Sequence, residues 1–143
     1  MLYSVIGYYS LILGLLTATI LIYFSIKNFQ NSELLDTKIL SFSFLQFFLV
    51  VISFLSLISS FVLSDFSNET VFNNSHSNKP IFYKISGTWG NHEGSLLLWL
   101  LVLTLFLFLF LLSSRGEPKQ YRALTLVFQQ VIIIGFFSFV LFT

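Results

Sequence analysis

Four long apolar stretches organise the chain, and none of them contains an Asp, Glu, Lys, Arg or His residue. They cover residues 2–26, 39–63, 95–112 and 123–142. About 20 apolar residues in a helix cross the roughly 30 Å hydrocarbon core of a bilayer, so each stretch is long enough to span it, the third only just. A helix satisfies its own backbone polar groups in hydrocarbon. The sequence therefore predicts an all-α membrane protein with four transmembrane helices and one long loop, 64–94.

The composition excludes several functional classes. Only 9% of the residues are charged, against about a quarter in an ordinary soluble domain. The net charge of +1 gives no basis for nucleic-acid binding, which needs clustered Lys and Arg. The chain has no cysteine, so it has no thiolate nucleophile and no cysteine zinc site. No motif with the spacing of a catalytic site or of a metal-ion site is present, and we predict no catalytic residue and no site for a metal ion outside a cofactor.

The basic residues predict the orientation in the membrane. Two of the seven, Lys79 and Lys84, lie in the long loop. Lys and Arg are enriched in cytoplasmic loops, so we expect the long loop and both termini to face outward. In a bacterial inner membrane that side is the periplasm; the alternative is a mitochondrial inner membrane. The other five basic residues flank the two short loops: Lys27, Lys38, Arg115, Lys119 and Arg122.

Small and polar residues within the spans predict helix packing. Ser10, Gly14 and Ala18 are spaced by four and form one ridge, which allows a neighbouring helix to approach closely. Amide side chains at membrane depth are expected to bond to other helices. These amides are Gln46, Gln129 and Gln130. Ser53, Ser56 and Ser60 are expected to share one face of the second helix.

The sequence of the long loop predicts mostly irregular structure. Residues 73–80 are rich in Asn, Ser and Pro, which is typical of turn-rich coil. Residues 81–85 are aromatic and β-branched, which favours an extended segment lying on the membrane surface.

The end of this loop carries the candidate site. Trp89, Asn91, His92 and Glu93 stand where polar sequence turns into the third apolar stretch. Asn91, or Gly90 beside it, is a good helix N-cap, and a carboxylate in the first turn favours the positive end of the helix dipole. This capping role alone could explain the motif. The functional alternative is that His92 contacts haem iron or a propionate beside Trp89, since haem iron readily takes histidine as an axial ligand.

His76 is a conceivable second haem ligand. Its position in the coil instead favours simple exposure to solvent. One histidine does not specify a metal, so both interpretations remain open from these residues alone.

The chain resembles the amino-terminal part of the CcmF/NrfE family, the haem lyase subunit of the cytochrome c maturation system. The resemblance extends over essentially the whole chain, and residues 89–99 are its most specific part. It is carried by Ser64-Asp65-Phe66-Ser67, Asn74-Ser75-His76-Ser77, Lys79-Pro80, Tyr83-Lys84-Ile85-Ser86-Gly87, Trp89-Gly90-Asn91-His92-Glu93-Gly94-Ser95 and Leu97-Leu98-Trp99.

The resemblance implies a function in cytochrome c-type biogenesis. Such proteins take haem from the chaperone CcmE at the outer membrane face and help attach it to apocytochrome c, with CcmH as a further partner. By resemblance, the expected cofactor is haem and the expected cofactor-binding residues are His92, Trp89, Glu93 and Asn91. Residues 1–143 would form a single N-terminal transmembrane module that lacks the family's WWD segment. The module is expected to work with the remainder of the protein or with split subunits, and whether it is an enzyme alone stays open.

A purely structural membrane subunit is the alternative function. A small respiratory or assembly subunit would share the apolar composition and the small-residue ridge. Proton relays and charge-moving subunits usually place ionisable residues within the bilayer, and the four stretches contain none. That absence disfavours a role in ion transport but not one in helix packing.

Overall fold

The computed structural model describes residues 2–28 and 33–142, which form six α-helices and one 3-10 turn. The described residues contain no strand. Four of the helices are long and apolar enough to cross a membrane, so the prediction of an all-α membrane protein is confirmed. The helices are α1 (Leu2–Asn28), α2 (Glu33–Val62), α3 (Glu69–Asn74), α4 (Ile81–Gly87), α5 (His92–Ser113) and α6 (Lys119–Phe142), with the 3-10 turn at Ser114–Gly116.

The long helices extend beyond the apolar stretches. Helix α2 begins at Glu33, six residues before the second stretch, and α5 begins at His92, three residues before the third. A bilayer with its head-group regions is about 40–45 Å thick. The charged ends of these helices can therefore lie among head groups, where they remain hydrated while the backbone stays helical.

The four long helices pack around one apolar core. Helix α1 packs against α2 and α6, and α5 packs against the same two helices. Leu21, Leu100, Leu107, Ile133 and Phe137 are completely buried there. The short connections lie at one end of the bundle, and the 63–91 segment lies at the other. The polar side chains of the connecting segments are therefore found at the two ends of the bundle.

The predicted small-residue ridge is buried, and its Gly14 faces α6. Ser10, Gly14 and Ala18 are all buried. A Cβ added at Gly14 would lie 2.6 Å from Cζ of Phe137 on α6, much closer than van der Waals contact. The glycine therefore makes room for the Phe137 ring, as the spacing of the ridge predicts.

The amides at membrane depth also find partners on other helices. Gln46 on α2 and Gln130 on α6 exchange two hydrogen bonds, 3.1 Å and 2.9 Å between nitrogen and oxygen. Both side chains are completely buried. Gln129 donates to the backbone carbonyl of Leu103 on α5 at 3.3 Å. The prediction of interhelical bonding is confirmed for all three amides.

A buried arginine joins the helix ends at the opposite side of the bundle from the long loop. Arg122 of α6 forms an ion pair with Asp36 of α2 at 3.2 Å. Its Nε also donates to Oγ of Ser114 at 3.3 Å. The guanidinium thus connects α2, the 3-10 turn and α6 where the short loops lie.

The prediction of an extended segment over residues 81–85 was wrong, because these residues begin helix α4. Pro80 occupies the N-cap position and its carbonyl accepts bonds from the amides of Tyr83 and Lys84. Lys84 is buried and donates from Nζ to Oγ of Ser64 at 2.6 Å. Ser64 lies just after the end of α2, so this bond holds α4 against that end of the bundle. The coil predicted for 73–80 begins only at Ser75, because α3 continues to Asn74.

Candidate functional site

Asn91 builds the junction between α4 and α5. It is the N-cap of α5, with extended backbone angles, and its Oδ1 accepts a hydrogen bond from the Gly94 amide at 2.6 Å. Its Nδ2 donates to the carbonyls of Gly87 at 2.9 Å and Thr88 at 3.3 Å. The predicted capping role is confirmed. Because both polar atoms of the amide are used inside the protein, Asn91 ties the end of α4 to the start of α5.

Gly94 permits the tight turn at this junction. A Cβ at this position would lie 1.6 Å from the carbonyl oxygen of Thr88 and 2.8 Å from its carbonyl carbon. The clash would be with backbone, which cannot rotate away as the end of a long side chain can. Thr88 itself is completely buried, so the residues packed around it hold the turn in place.

The side chains of Trp89 and His92 lie on the outer surface of the junction. Trp89 is 42% exposed, and His92 is exposed as well. Among residues 2–28 and 33–142, neither ring nitrogen of His92 makes a hydrogen bond. The imidazole is therefore accessible to a ligand, and its backbone is fixed by the Asn91 cap. We call this surface the Trp89–His92 ledge.

Glu93 has a different environment from His92. It is half-buried in the first turn of α5 and lines a cavity of about 270 Å³ between the helices. Of the four residues predicted to bind the cofactor, Trp89 and His92 thus lie on the exposed ledge, Asn91 caps helix α5, and Glu93 lines the cavity. The sequence placed them together because they lie within five residues of one another, but it could not assign the directions of their side chains.

His76, the conceivable second ligand, lies in the segment after α3. Its side chain is exposed, and its carbonyl accepts a hydrogen bond from the Lys79 amide at 3.2 Å. No group of three or more His, Asp or Glu side chains within the described ranges is arranged to hold a metal ion. Among the two histidines, only His92 is set at a capped helix start.

The cavity beside Glu93 was missed by sequence reasoning. It is formed by the ends of α1, α2, α5 and α6 nearest the 63–91 segment, together with α3. The sequence signal was the serine face of α2, since Ser53, Ser56 and Ser60 all line it. Tyr3 of α1 and Glu69 of α3 complete its polar wall. Their meeting depends on how the loop folds back, which no local pattern specifies.

The chain is similar to bacterial cytochrome c-type biogenesis proteins. It is 41% identical over 139 residues to CycK of Rhizobium meliloti, covering 96% of this chain and 21% of that protein. It is 46% identical over 98 residues to ccl1 of Rhodobacter capsulatus, covering 68% of this chain and 15% of the relative. It is 38% identical over 102 residues to CcmF of Escherichia coli, covering 71% and 16%. No family model matches the chain.

The fold has a counterpart among solved structures. The cytochrome c heme lyase CcmF superposes with a TM-score of 0.84 at 25% identity, over 95% of this chain and 23% of that one. The chain spans about a fifth or less of the length of the curated relatives it matches. The predicted resemblance is confirmed by sequence and by fold, for that portion of the relatives.

Proposed function

Because this chain is related over nearly its whole length to the CcmF/NrfE family of cytochrome c-type biogenesis proteins, we propose that it is a haem-handling membrane module of this system. In this role it presents haem, as cargo, at the outer membrane face for covalent attachment to apocytochrome c. The observation that carries the proposal is the exposed Trp89–His92 ledge on a rigidly capped helix start. Haem supplies the iron and the vinyl groups of the attachment.

The chemistry of the ledge supports contact with haem. An imidazole with free ring nitrogens can ligate haem iron, and the exposed indole of Trp89 offers a flat apolar face for the macrocycle. We assign direct contact to His92 and Trp89, and a supporting role to Asn91. Glu93, predicted with them, lies in the cavity wall, where its carboxylate would repel a haem propionate.

The sidedness of the module follows from charge. With the five basic residues near the short loops inside, the ledge, both termini and loop 64–94 face the periplasm of a bacterial inner membrane. There the module would meet CcmE as haem donor, and CcmH with apocytochrome c as acceptor. The lyase activity belongs to the assembly formed with the remainder of a CcmF-like protein or its split subunits, and no residue of this chain is assigned catalysis.

A structural role is the second candidate. The doubly bonded and completely buried pair of Gln46 and Gln130 favours a module that mainly holds helices together. Under that alternative the Trp89–His92 ledge would only cap α5, and haem would bind elsewhere in the assembly.

Haem titration separates the two candidates. We expect the full chain, purified in detergent and titrated with haemin, to give a Soret band. His92→Ala should lower the affinity for haemin by about tenfold, which corresponds to a loss of about 1.4 kcal/mol of binding free energy. Haemin should also quench Trp89 fluorescence, which a Trp99→Phe background isolates because the chain has two tryptophans.

His76→Ala is the matched control, because this histidine is also exposed in the same loop. It should retain the band and the quenching. Equal haemin affinity in wild type, His92→Ala and His76→Ala would contradict ligation by His92. His92 would then be only a residue of the capped first turn of α5.

A further inference from the structure

Helix α4 turns its charged side chain toward the bundle and its apolar side chains away from it. Lys84 is buried, and its ammonium donates to Oγ of Ser64 at 2.6 Å. Ile81, Phe82 and Tyr83 are 60%, 85% and 67% exposed. In soluble proteins lysine is among the residues least often buried, whereas isoleucine and phenylalanine are among those most often buried. The arrangement in α4 is therefore the reverse of the one that water favours.

The packing of α4 against α2 fixes which face of the helix points away from the bundle. Gly87 faces Phe61 of α2, since a Cβ added at the glycine would lie 3.5 Å from Cε1 of that ring. Lys84 and Gly87 are three residues apart and share one face of α4. Phe82 lies on the opposite face, because a helix has 3.6 residues per turn. These contacts hold the Phe82 ring away from the protein, where only an apolar environment would favour it.

The end of α2 sets the height of α4 in the membrane. In a helix the apolar stretch 39–63 rises about 36 Å. Even at the tilt of about 20° that is usual for membrane helices, this stretch is longer than the roughly 30 Å hydrocarbon core. The excess brings its ends to the level of the lipid head groups, and Phe61, which Gly87 faces, belongs to its last turn.

The start of α5 lies at the same height. The apolar stretch 95–112 rises only about 26 Å, so it fits within the hydrocarbon core with Ser95 near one edge. Asn91 comes four residues earlier, which adds about 6 Å. One head-group layer is about 5–8 Å thick. Because the Gly87 carbonyl accepts a hydrogen bond from Nδ2 of Asn91 at 2.9 Å, α4 ends within this layer.

We propose that α4 is an interfacial helix, whose outward side chains Ile81, Phe82 and Tyr83 insert among the head groups and upper acyl chains of the bilayer. Interfacial helices bury an apolar face at this boundary, and tyrosine and tryptophan are enriched there. Trp89, which follows α4 in the chain, is also exposed. Ser86 lies among the hydrated head groups, where water-soluble reagents still reach it. The partner is the lipid surface itself, so the proposal rests neither on haem handling nor on the side that the loop faces.

Fluorescence quenching by lipid measures the insertion of α4. Trp89→Phe/Trp99→Phe removes both native tryptophans, and Phe82→Trp then places a single indole on the outward face. In vesicles whose acyl chains are brominated at different depths, we expect this indole to lie about 15–22 Å from the bilayer centre. Ile132→Trp in the same background is the control, since Ile132 is exposed midway along the stretch 123–142. Its indole should lie within about 5 Å of the centre.

Three outcomes would overturn the proposal. Quenching of Phe82→Trp by acrylamide in the water, without quenching by brominated lipid, would mean that α4 stands clear of the membrane. Protection from both quenchers would mean that a protein surface, such as a second copy of the chain, covers the helix. A depth equal to that of Ile132→Trp would place α4 in the hydrocarbon core.

A second position keeps the test decisive if Phe82→Trp does not fold. Tyr83→Trp in the same background replaces a neighbouring exposed ring, and the same depth is expected for it. Helical circular dichroism equal to that of wild type establishes that each variant is folded.

Discussion

Gly94→Ala should destabilise the junction of α4 and α5 more than any other alanine substitution at a glycine of this chain. The added Cβ would stand 1.6 Å from the Thr88 carbonyl oxygen, so backbone must move and the bond from the Gly94 amide to Asn91 must lengthen or break. We expect a loss of about 3 kcal/mol in the free energy of unfolding, the upper end of the usual cost of overpacking. Thermal unfolding in detergent and proteolysis of the 75–91 segment measure it.

Gly135→Ala is the matched control for this prediction. It also adds one methyl group within a long helix, but nothing lies within 4 Å of the new Cβ. It should be neutral or stabilise the protein by up to about 1 kcal/mol, as alanine favours helix over glycine. If Gly94→Ala unfolds at the same temperature as Gly135→Ala, the tight turn described above is wrong.

Gln130→Leu should destabilise the bundle, and adding Gln46→Leu should restore much of the loss. The single change leaves the buried Gln46 amide without its partner, which costs about 1–3 kcal/mol, whereas replacing both partners by apolar groups can be nearly neutral. A double-mutant cycle on the detergent-solubilised chain measures the coupling between the two amides.

Gln129→Leu provides the comparison on the next residue. That amide is only half-buried and makes one bond, to the Leu103 carbonyl, so its loss should be smaller. Losses of Gln46→Leu and Gln130→Leu that simply add would mean that the reciprocal pair does not form.

The sequence predicted those features that depend on local pattern. The uncharged apolar stretches identified four long helices, because a helix in hydrocarbon must be continuous and apolar. Asn91 predicted the start of α5, because an asparagine side chain at the N-cap can accept a hydrogen bond from the backbone amide three residues later. The four-residue spacing of Ser10, Gly14 and Ala18 predicted a close helix contact.

Features that depend on helix rotation and distant contacts could not be predicted. The amides of Gln46 and Gln130 are separated by 84 residues, and the sequence indicated only that each needs a partner. Residues 81–85 favour a strand by propensity, yet they form helix α4, which begins after Pro80 and is held to the rest of the bundle by the bond from Lys84 to Ser64. The cavity was missed for the same reason, since Glu69, Glu93 and Ser53 come from three helices.

The central claim is that the Trp89–His92 ledge faces the non-cytoplasmic side of the membrane. The chain has no cysteine, so single cysteines at two exposed serines give unique labels. Ser86 lies in α4, close to the ledge, and Ser113 lies at the far end of α5. In intact bacterial spheroplasts, a membrane-impermeant maleimide should label Ser86→Cys at once and Ser113→Cys only after the membrane is disrupted. Labelling of Ser113→Cys in intact spheroplasts, with Ser86→Cys protected, would contradict the account.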